Sequence, residues 1–319
     1  MSGSALILAL ALLCAVILVN GWTDAPNAIA GVVATGTLSF PAAAALAAGC
    51  NLLGALCVTA VNSAVARTLW SIADFTRQEA LGALTAALCA TVVWAVAAWR
   101  FGLPTSESHA LVAGLTGAAL ACGAERLRLL PLAWVAVGLF LSLTLGHFFG
   151  KVAARLLPKT GSQVFWRRGQ VAGAGLTAFF HGAQDGQKFL GVLVLLTGLA
   201  TGNDRFSVPI WAACFCAALM GLGTLLGGRR IVDTVGRKLV AVTPRSGCAA
   251  DLGCTAALAV CTLMGLPVST THVKTAAMLG AGEGRANGAV AASLVLAWLL
   301  TFPGCGLIAF FLTRALSFV

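Results

Sequence analysis

The stretch HGAQDGQKFLG at residues 181–191 sets Asp185 and Lys188 three residues apart in otherwise apolar sequence. Earlier, NGWTDAPNAIAG at 20–31 carries Asp24 in a similar setting, with Asn27 at the place that Lys188 holds in the later stretch. An ionised group inside a bilayer costs about 3 kcal/mol or more, so each of these must face a cavity, an ion or a partner. Asn20-Gly21 and Ala25-Pro26-Asn27 predict a broken helix at Asp24, and Gly182 and Gly186 predict a loosened one at Asp185. Unwound backbone frees carbonyls, which together with a carboxylate form an oxygen-rich cage suited to a hard cation such as Na⁺. Asn27 and Gln184 can add amide oxygens or donors to that cage.

A second element also occurs twice, as GLPTSESHALVAG at 102–114 and GLPVSTTHVKTAA at 265–277. Proline followed by Ser or Thr is a helix-start signal. The hydroxyls of Thr105, Ser106, Ser108, Ser269, Thr270 and Thr271, with the free N–H groups of two helix starts, direct partial positive charge to one place and make an anion site. Ordinary N-capping would account for one copy; two copies favour a site. Glu107 stands where the second copy has Thr270, and a carboxylate beside a bound anion is repulsive unless it is protonated or paired with a cation. Lys188 is expected to act as a fixed cation in one half while the other half keeps a mobile one. His109, His272 and His181 read equally as hydrogen-bonding groups and as proton carriers. Asp251 has no match in the first half and reads equally as a structural contact. Ser106 or Ser269 with a nearby His resembles a nucleophile and its base, but an enzyme needs one nucleophile and this chain duplicates the element.

The elements that must position these residues are membrane helices. Charged residues make up 9% of the 319 and hydrophobic ones 59%, against about 25% charged in ordinary globular domains. Apolar segments fall near 4–20, 41–62, 79–99, 103–122, 131–150, 171–200, 208–227, 247–265, 267–282 and 288–313. An open sheet would leave unpaired backbone groups in lipid, so all of them should be helices. The expected fold is an all-α polytopic membrane protein of about 10–12 transmembrane segments, with half-helices or hairpins after Gly102 and Leu266. The net charge of +10 lies almost wholly in connecting segments, which suits membrane orientation and not nucleic-acid binding. The eleven cysteines include no CxxC pair and read as small packing residues. With no Lys or Arg before Arg67, the N-terminus is not expected to be a signal peptide.

The chain repeats. Asp24 to Asp185 is an offset of 161, while Pro104 to Pro267 and His109 to His272 are offsets of 163. Two motifs recurring at nearly one offset predict two homologous halves, 1–157 and 170–319, joined by a linker at 158–169. Five spans per half is odd, so the second half should be inverted. Basic segments at 151–169 and 228–245 then face the cytoplasm and the balanced segment 67–79 lies outside, with both termini extracytoplasmic. Inverted repeats with broken helices are the architecture of secondary transporters, whose sites lie where the halves meet.

The same motifs resemble those of the inorganic phosphate transporter (PiT) family. NGWTDAPNAIA is similar to its Gly-x-Asn-Asp-x-x-Asn-Ala signature, HGAQDGQKFLG to its His-Gly-Ala-Asn-Asp-Gly-Gln-Lys stretch, and LPTSESH and LPVSTTH to its repeated Pro-x-Ser-x-Thr-His element. The resemblance spans the chain and implies cation-coupled symport of inorganic phosphate, with sulfate as the alternative carried by a minority of relatives. Carried over by position, Asp24, Asn27 and Asp185 would bind Na⁺ or line its site, and Ser106, Ser108, Ser269, Thr270 and Thr271 would hold the anion. Thr23 and Gln184 depart from the family's Asn before each Asp. The partners expected are inorganic phosphate, Na⁺ or H⁺ and the lipid bilayer, with no cofactor beyond a transported or bound Na⁺, no nucleic acid, and a homodimer left open. An anion channel, which would dissipate and not follow a cation gradient, is the nearest rival.

Overall fold

The computed structural model describes residues 3–75, 77–202, 205–226, 228–284 and 286–316. Each of the ten apolar segments is a helix, and the described residues contain no β-strand, only an isolated bridge between Ala73 and Leu127. In chain order the helices are α1 (Gly3–Thr23), α2 (Pro26–Ala34), α3 (Phe40–Val61), α4 (Ala64–Trp70), α5 (Arg77–Arg100), α6 (Glu107–Cys122) and α7 (Leu129–Leu156). There follow α8 (Gln163–Thr201), α9 (Ile210–Leu226), α10 (Arg229–Val232) with a π turn over Asp233–Lys238, α11 (Pro244–Leu263), α12 (Thr270–Ala281) and α13 (Gly288–Leu316). Among the described residues six helices, counting α1 with α2 as one (Gly3–Ala34), are long and apolar enough to cross a membrane, or up to seven if the bent pair Ile210–Leu226 and Arg229–Lys238 is one span. The protein is therefore polytopic, with a hydrocarbon core of about 30 Å to cross. At about 1.5 Å per residue, the 39 residues of α8 would exceed that thickness.

The break expected at Asp24 is present: α1 stops at Thr23, Asp24 and Ala25 form a turn, and α2 restarts with Pro26 at its first position. The loosening expected at Asp185 is not. α8 runs unbroken through it, because no proline removes an N–H there. Gly182 and Gly186 have a different task. A Cβ on Gly182 would lie 2.1 Å from the Asn51 carbonyl oxygen, and one on Gly186 would lie 2.7 Å from the Ala55 Cβ. These glycines let α3 lie against α8, the close approach that small residues permit between membrane helices.

The helices that carry the two similar motifs pack alike: α6 lies against α13, and α12 against α7. On α7 the stripe Gly138, Ser142, Gly146 and Gly150 is buried; a Cβ on Gly146 would meet the Val273 carbonyl oxygen at 2.6 Å and one on Gly150 the Ala277 oxygen at 2.4 Å. Adding 163 to those numbers gives Thr301, Cys305, Ala309 and Thr313, all buried on α13. Cys305 donates from Sγ to the Ala110 carbonyl at 3.0 Å, a packing use of a cysteine. All eleven cysteines are free thiols.

Candidate functional site between the two short helices

Asp24 and Asp185 meet. The Nδ2 of Asn20 donates to Asp185 Oδ2 at 3.0 Å and reaches Asp24 Oδ2 at 3.5 Å. Asn20 stands four residues before Asp24, and His181 four before Asp185. The His181 Nε2 lies 3.3 Å from Asp185 Oδ2, and its Nδ1 is 3.1 Å from Asn51 Oδ1. One ligand atom each from Asp24, His181 and Asp185 lie within 4.8 Å of one another, a spacing that can hold a cation. Carboxylate oxygens of this kind suit a hard ion.

The two short helices bring their N-termini to this pair. α6 begins at Glu107 and α12 at Thr270, each after an extended residue, Ser106 or Ser269. The Ser106 Oγ accepts from the His109 N–H at 3.4 Å and the Ser269 Oγ from the His272 N–H at 3.2 Å. Both serines are therefore N-caps, the ordinary use of a hydroxyl at a helix start. The next hydroxyls face the carboxylates. Ser108 donates to Asp185 Oδ1 at 3.5 Å and Thr270 to Asp185 Oδ2 at 3.4 Å, while Thr271 makes a short hydrogen bond to Asp24 Oδ1. Thr105 contributes its carbonyl, which accepts from the Thr271 hydroxyl at 3.3 Å.

Asn27 and Lys188 complete two matching triangles. The Asn27 Nδ2 donates to Asp24 Oδ1 and to Thr271 Oγ1, both at 3.1 Å. The Lys188 Nζ donates to Asp185 Oδ1 and to Ser108 Oγ, both at 2.7 Å, and to the Val268 carbonyl at 2.5 Å. Lys188 thus gives Asp185 an ammonium partner within the cluster. Thr23 donates to Glu107 Oε1 at 2.5 Å, bringing that carboxylate to the turn that carries Asp24. None of these side chains is more than 5% exposed, so the whole cluster is occluded.

Gln184, expected at the site, and Asp251, left open between a site role and a structural contact, lie elsewhere. Gln184 donates to Thr262 Oγ1 at 3.0 Å and to the Leu266 carbonyl at 3.1 Å, and its Oε1 accepts from the Val268 N–H at 3.4 Å. It braces the turn before α12 and does not face the carboxylates, because α8 continues as helix and carries position 184 to a different face from 185. Asp251 is ion-paired with Lys274, whose Nζ also reaches the Ala28 carbonyl at 3.4 Å. Lys274 escaped notice in the sequence because its first-half counterpart is Leu111. Asn20 escaped too, although its offset of 161 from His181 matches that of the aspartates.

His109 and His272 stack edge to face with ring centroids 4.7 Å apart, and His272 lies 3.8 Å from the Trp298 ring. The Trp298 Nε1 donates to the Pro104 carbonyl at 3.0 Å. Each capping serine bonds the backbone of its histidine and not the ring, so a nucleophile–base pair is not assembled here.

The phosphate transporter family model (PHO4) matches residues 20–163 and 153–309. A Bacillus subtilis protein described as a "Probable low-affinity inorganic phosphate transporter" is 33% identical over 314 residues, covering 92% of this chain and 92% of its own. A Rhizobium meliloti protein of the same description is 36% identical over 303 residues, covering 91% and 90%, and a Mycobacterium bovis one is 34% identical over 319 residues, covering 94% and 75%. Among solved structures, one titled "The sodium-dependent phosphate transporter" is similar with a TM-score of 0.88 at 20% identity, covering 99% of this chain and 100% of that one. The chain is a multi-pass membrane transporter, not an enzyme, and it belongs to the phosphate transporter family.

Proposed function

We propose that the protein is a symporter that carries inorganic phosphate across the cell membrane together with Na⁺ or H⁺, by alternating access. The observation that carries this reading is the meeting of Asp24 and Asp185 beneath the N-termini of α6 and α12, with the Ser108, Thr270 and Thr271 hydroxyls on the two carboxylates. Bare carboxylates would repel an anion. A cation bound between them offsets their charge and frees those hydroxyls, and the N–H groups of the two helix starts, to turn to phosphate. Each hydroxyl contact to a charged acceptor contributes about 1–3 kcal/mol. Phosphate near neutral pH keeps a proton and needs an acceptor, which Glu107, Asp24 or Asp185 supplies; this favours phosphate over sulfate.

The halves at 1–157 and 170–319 are proposed to be inverted repeats that rock about this centre. The two basic segments support the orientation. Arg245 donates to the carbonyls of Ala154, Leu157 and Pro158 at 2.6, 2.8 and 2.9 Å, so 151–169 and 228–245 share one face, which the positive-inside rule puts in the cytoplasm. Both termini then lie outside. Uptake of radiolabelled phosphate and sulfate into proteoliposomes under separately imposed Na⁺ and pH gradients tests the reading. Phosphate accumulation against its gradient under one of these is expected; flux that ignores both gradients would indicate a channel.

A further inference from the structure

The two halves build one polar frame around their aspartates but give it different charge. Around Asp185 the frame contains Lys188, bonded to the carboxylate and to Ser108, and Thr270, which donates to the same carboxylate. Around Asp24 the lysine is replaced by Asn27, bonded to the carboxylate and to Thr271. The threonine is replaced by Glu107, whose carboxylate neighbours Asp24. In formal charge the second frame sums to −1 + 1 = 0, and the first to −1 − 1 = −2. Among the described residues no Lys or Arg is bonded to Asp24 or Glu107.

Three oxygens of the first frame also lack a hydrogen-bond partner among the described residues: Glu107 Oε2, Asn20 Oδ1 and Asn27 Oδ1. The three residues are at most 1% exposed. Asn20 and Asn27 turn their amide nitrogens to Asp24, and Thr23 meets only the other oxygen of Glu107. Buried acceptors are ordinarily matched by a donor. A carboxylate oxygen and two amide oxygens left without one, on residues bonded to Asp24 or to the turn that carries it, are donors of the kind that a hard cation takes.

We propose that Glu107 is a ligand for a monovalent metal ion in the first half. It thereby adds one cation to the number that Asp24 alone would take up with each anion. This rests on the symport reading above, with Na⁺ as the probe. The hydroxyl of Thr270 gives its own aspartate a donor, whereas the Glu107 carboxylate gives Asp24 another negative charge that has to be balanced. The second half balances its aspartate with a built-in ammonium, so the asymmetry places the mobile positive charge on the Asp24 side.

Equilibrium binding of ²²Na⁺ to the purified full-length protein in detergent, at fixed pH with phosphate present, tests this in wild type, Glu107→Gln, Glu107→Thr and Asp24→Asn. Glu107→Gln is isosteric and keeps the fold testable should Glu107→Thr fail; a thermal unfolding curve checks both. The expected result is one Na⁺ fewer per chain in both Glu107 variants than in wild type, with a shallower Na⁺ titration. Equal Na⁺ counts in wild type and both variants overturn the assignment. So does an unchanged count accompanied by loss of one proton taken up per phosphate, which would make Glu107 a proton site. Loss of Na⁺ in Asp24→Asn with no change in the Glu107 variants sinks only the role of Glu107. Absence of Na⁺ binding and of Na⁺-driven flux in wild type sinks Na⁺ symport itself.

Discussion

Asp251 and Lys274 form a buried ion pair in which each side chain is 1% exposed, and the first-half positions that correspond to them at the offset of 163 are Leu88 and Leu111. Both leucines are fully buried in the apolar core. Positions related by this offset therefore carry an ion pair in one case and two buried hydrocarbon side chains in the other.

Removing one member of that pair should be severe. Asp251→Leu or Lys274→Leu alone leaves an uncompensated charge in an apolar setting, a cost of about 3–5 kcal/mol. The double variant Asp251→Leu/Lys274→Leu reproduces the leucine pair of the first half and should recover most of that loss. Thermal unfolding of the purified protein in one detergent provides the comparison. A double variant as unstable as the worse single would show that the charges are needed as charges.

Lys188→Ala should abolish phosphate uptake. The ammonium bonds Asp185, Ser108 and the Val268 carbonyl, so its loss frees a buried carboxylate and unties the start of α12 from α8 at once. Uptake of radiolabelled phosphate by cells expressing the variant, normalised to the amount in the membrane, measures it. Wild-type rates would show that Asp185 needs no fixed positive partner.

Substitutions at the two aspartates and along the two short helices should fall into ranks. Asp24→Asn and Asp185→Asn should remove cation-dependent uptake. Ser108→Ala and Thr271→Ala should raise the apparent KM tens of fold, since a hydrogen bond to a charged acceptor contributes about 1–3 kcal/mol. Ser106→Ala and Ser269→Ala should act chiefly on stability, by about 1 kcal/mol for a lost N-cap, with little change in KM. Initial rates against phosphate concentration, together with melting temperatures, separate the three ranks. A tens-of-fold KM effect at Ser106 would place that serine's hydroxyl on the anion.

Gly182→Ala should destabilise the protein by about 1–3 kcal/mol, the usual range for an inserted methyl in a tight core. The new Cβ would lie 2.1 Å from the Asn51 carbonyl oxygen, and Asn51 also holds the His181 ring at 3.1 Å. Gly36→Ala is the control for packing: a Cβ there meets nothing within 4 Å, though its φ of +67° carries a cost of its own. Melting temperatures of the two variants decide whether close approach, and not helix loosening, is the task of Gly182.

Much of the fold is legible in the sequence alone. Charges are so costly in lipid that their spacing marks the helices, and the offsets of 161 and 163 show that two motifs recur. Asp24, Asp185, Asn27, Lys188, Ser108, Thr270 and Thr271 stand out because polar side chains duplicated within apolar sequence need a reason to be there. Pro26 marks the helix break because a ring without an N–H acts locally.

Tertiary structure decided what the rest of those polar groups do. A glycine in a helix can loosen the backbone or admit a neighbouring one, and only the presence of α3 against Gly182 selects the second. A serine after proline can cap its own helix or point at a ligand, and the turn geometry makes Ser106 a cap while Ser108 reaches Asp185. Composition cannot say that Lys274 belongs to Asp251, 23 residues away on another helix. Sequence thus fixes which side chains must find partners, because burial penalises each of them separately. Which partner each one finds depends on distances between helices far apart in the chain, and packing alone sets those.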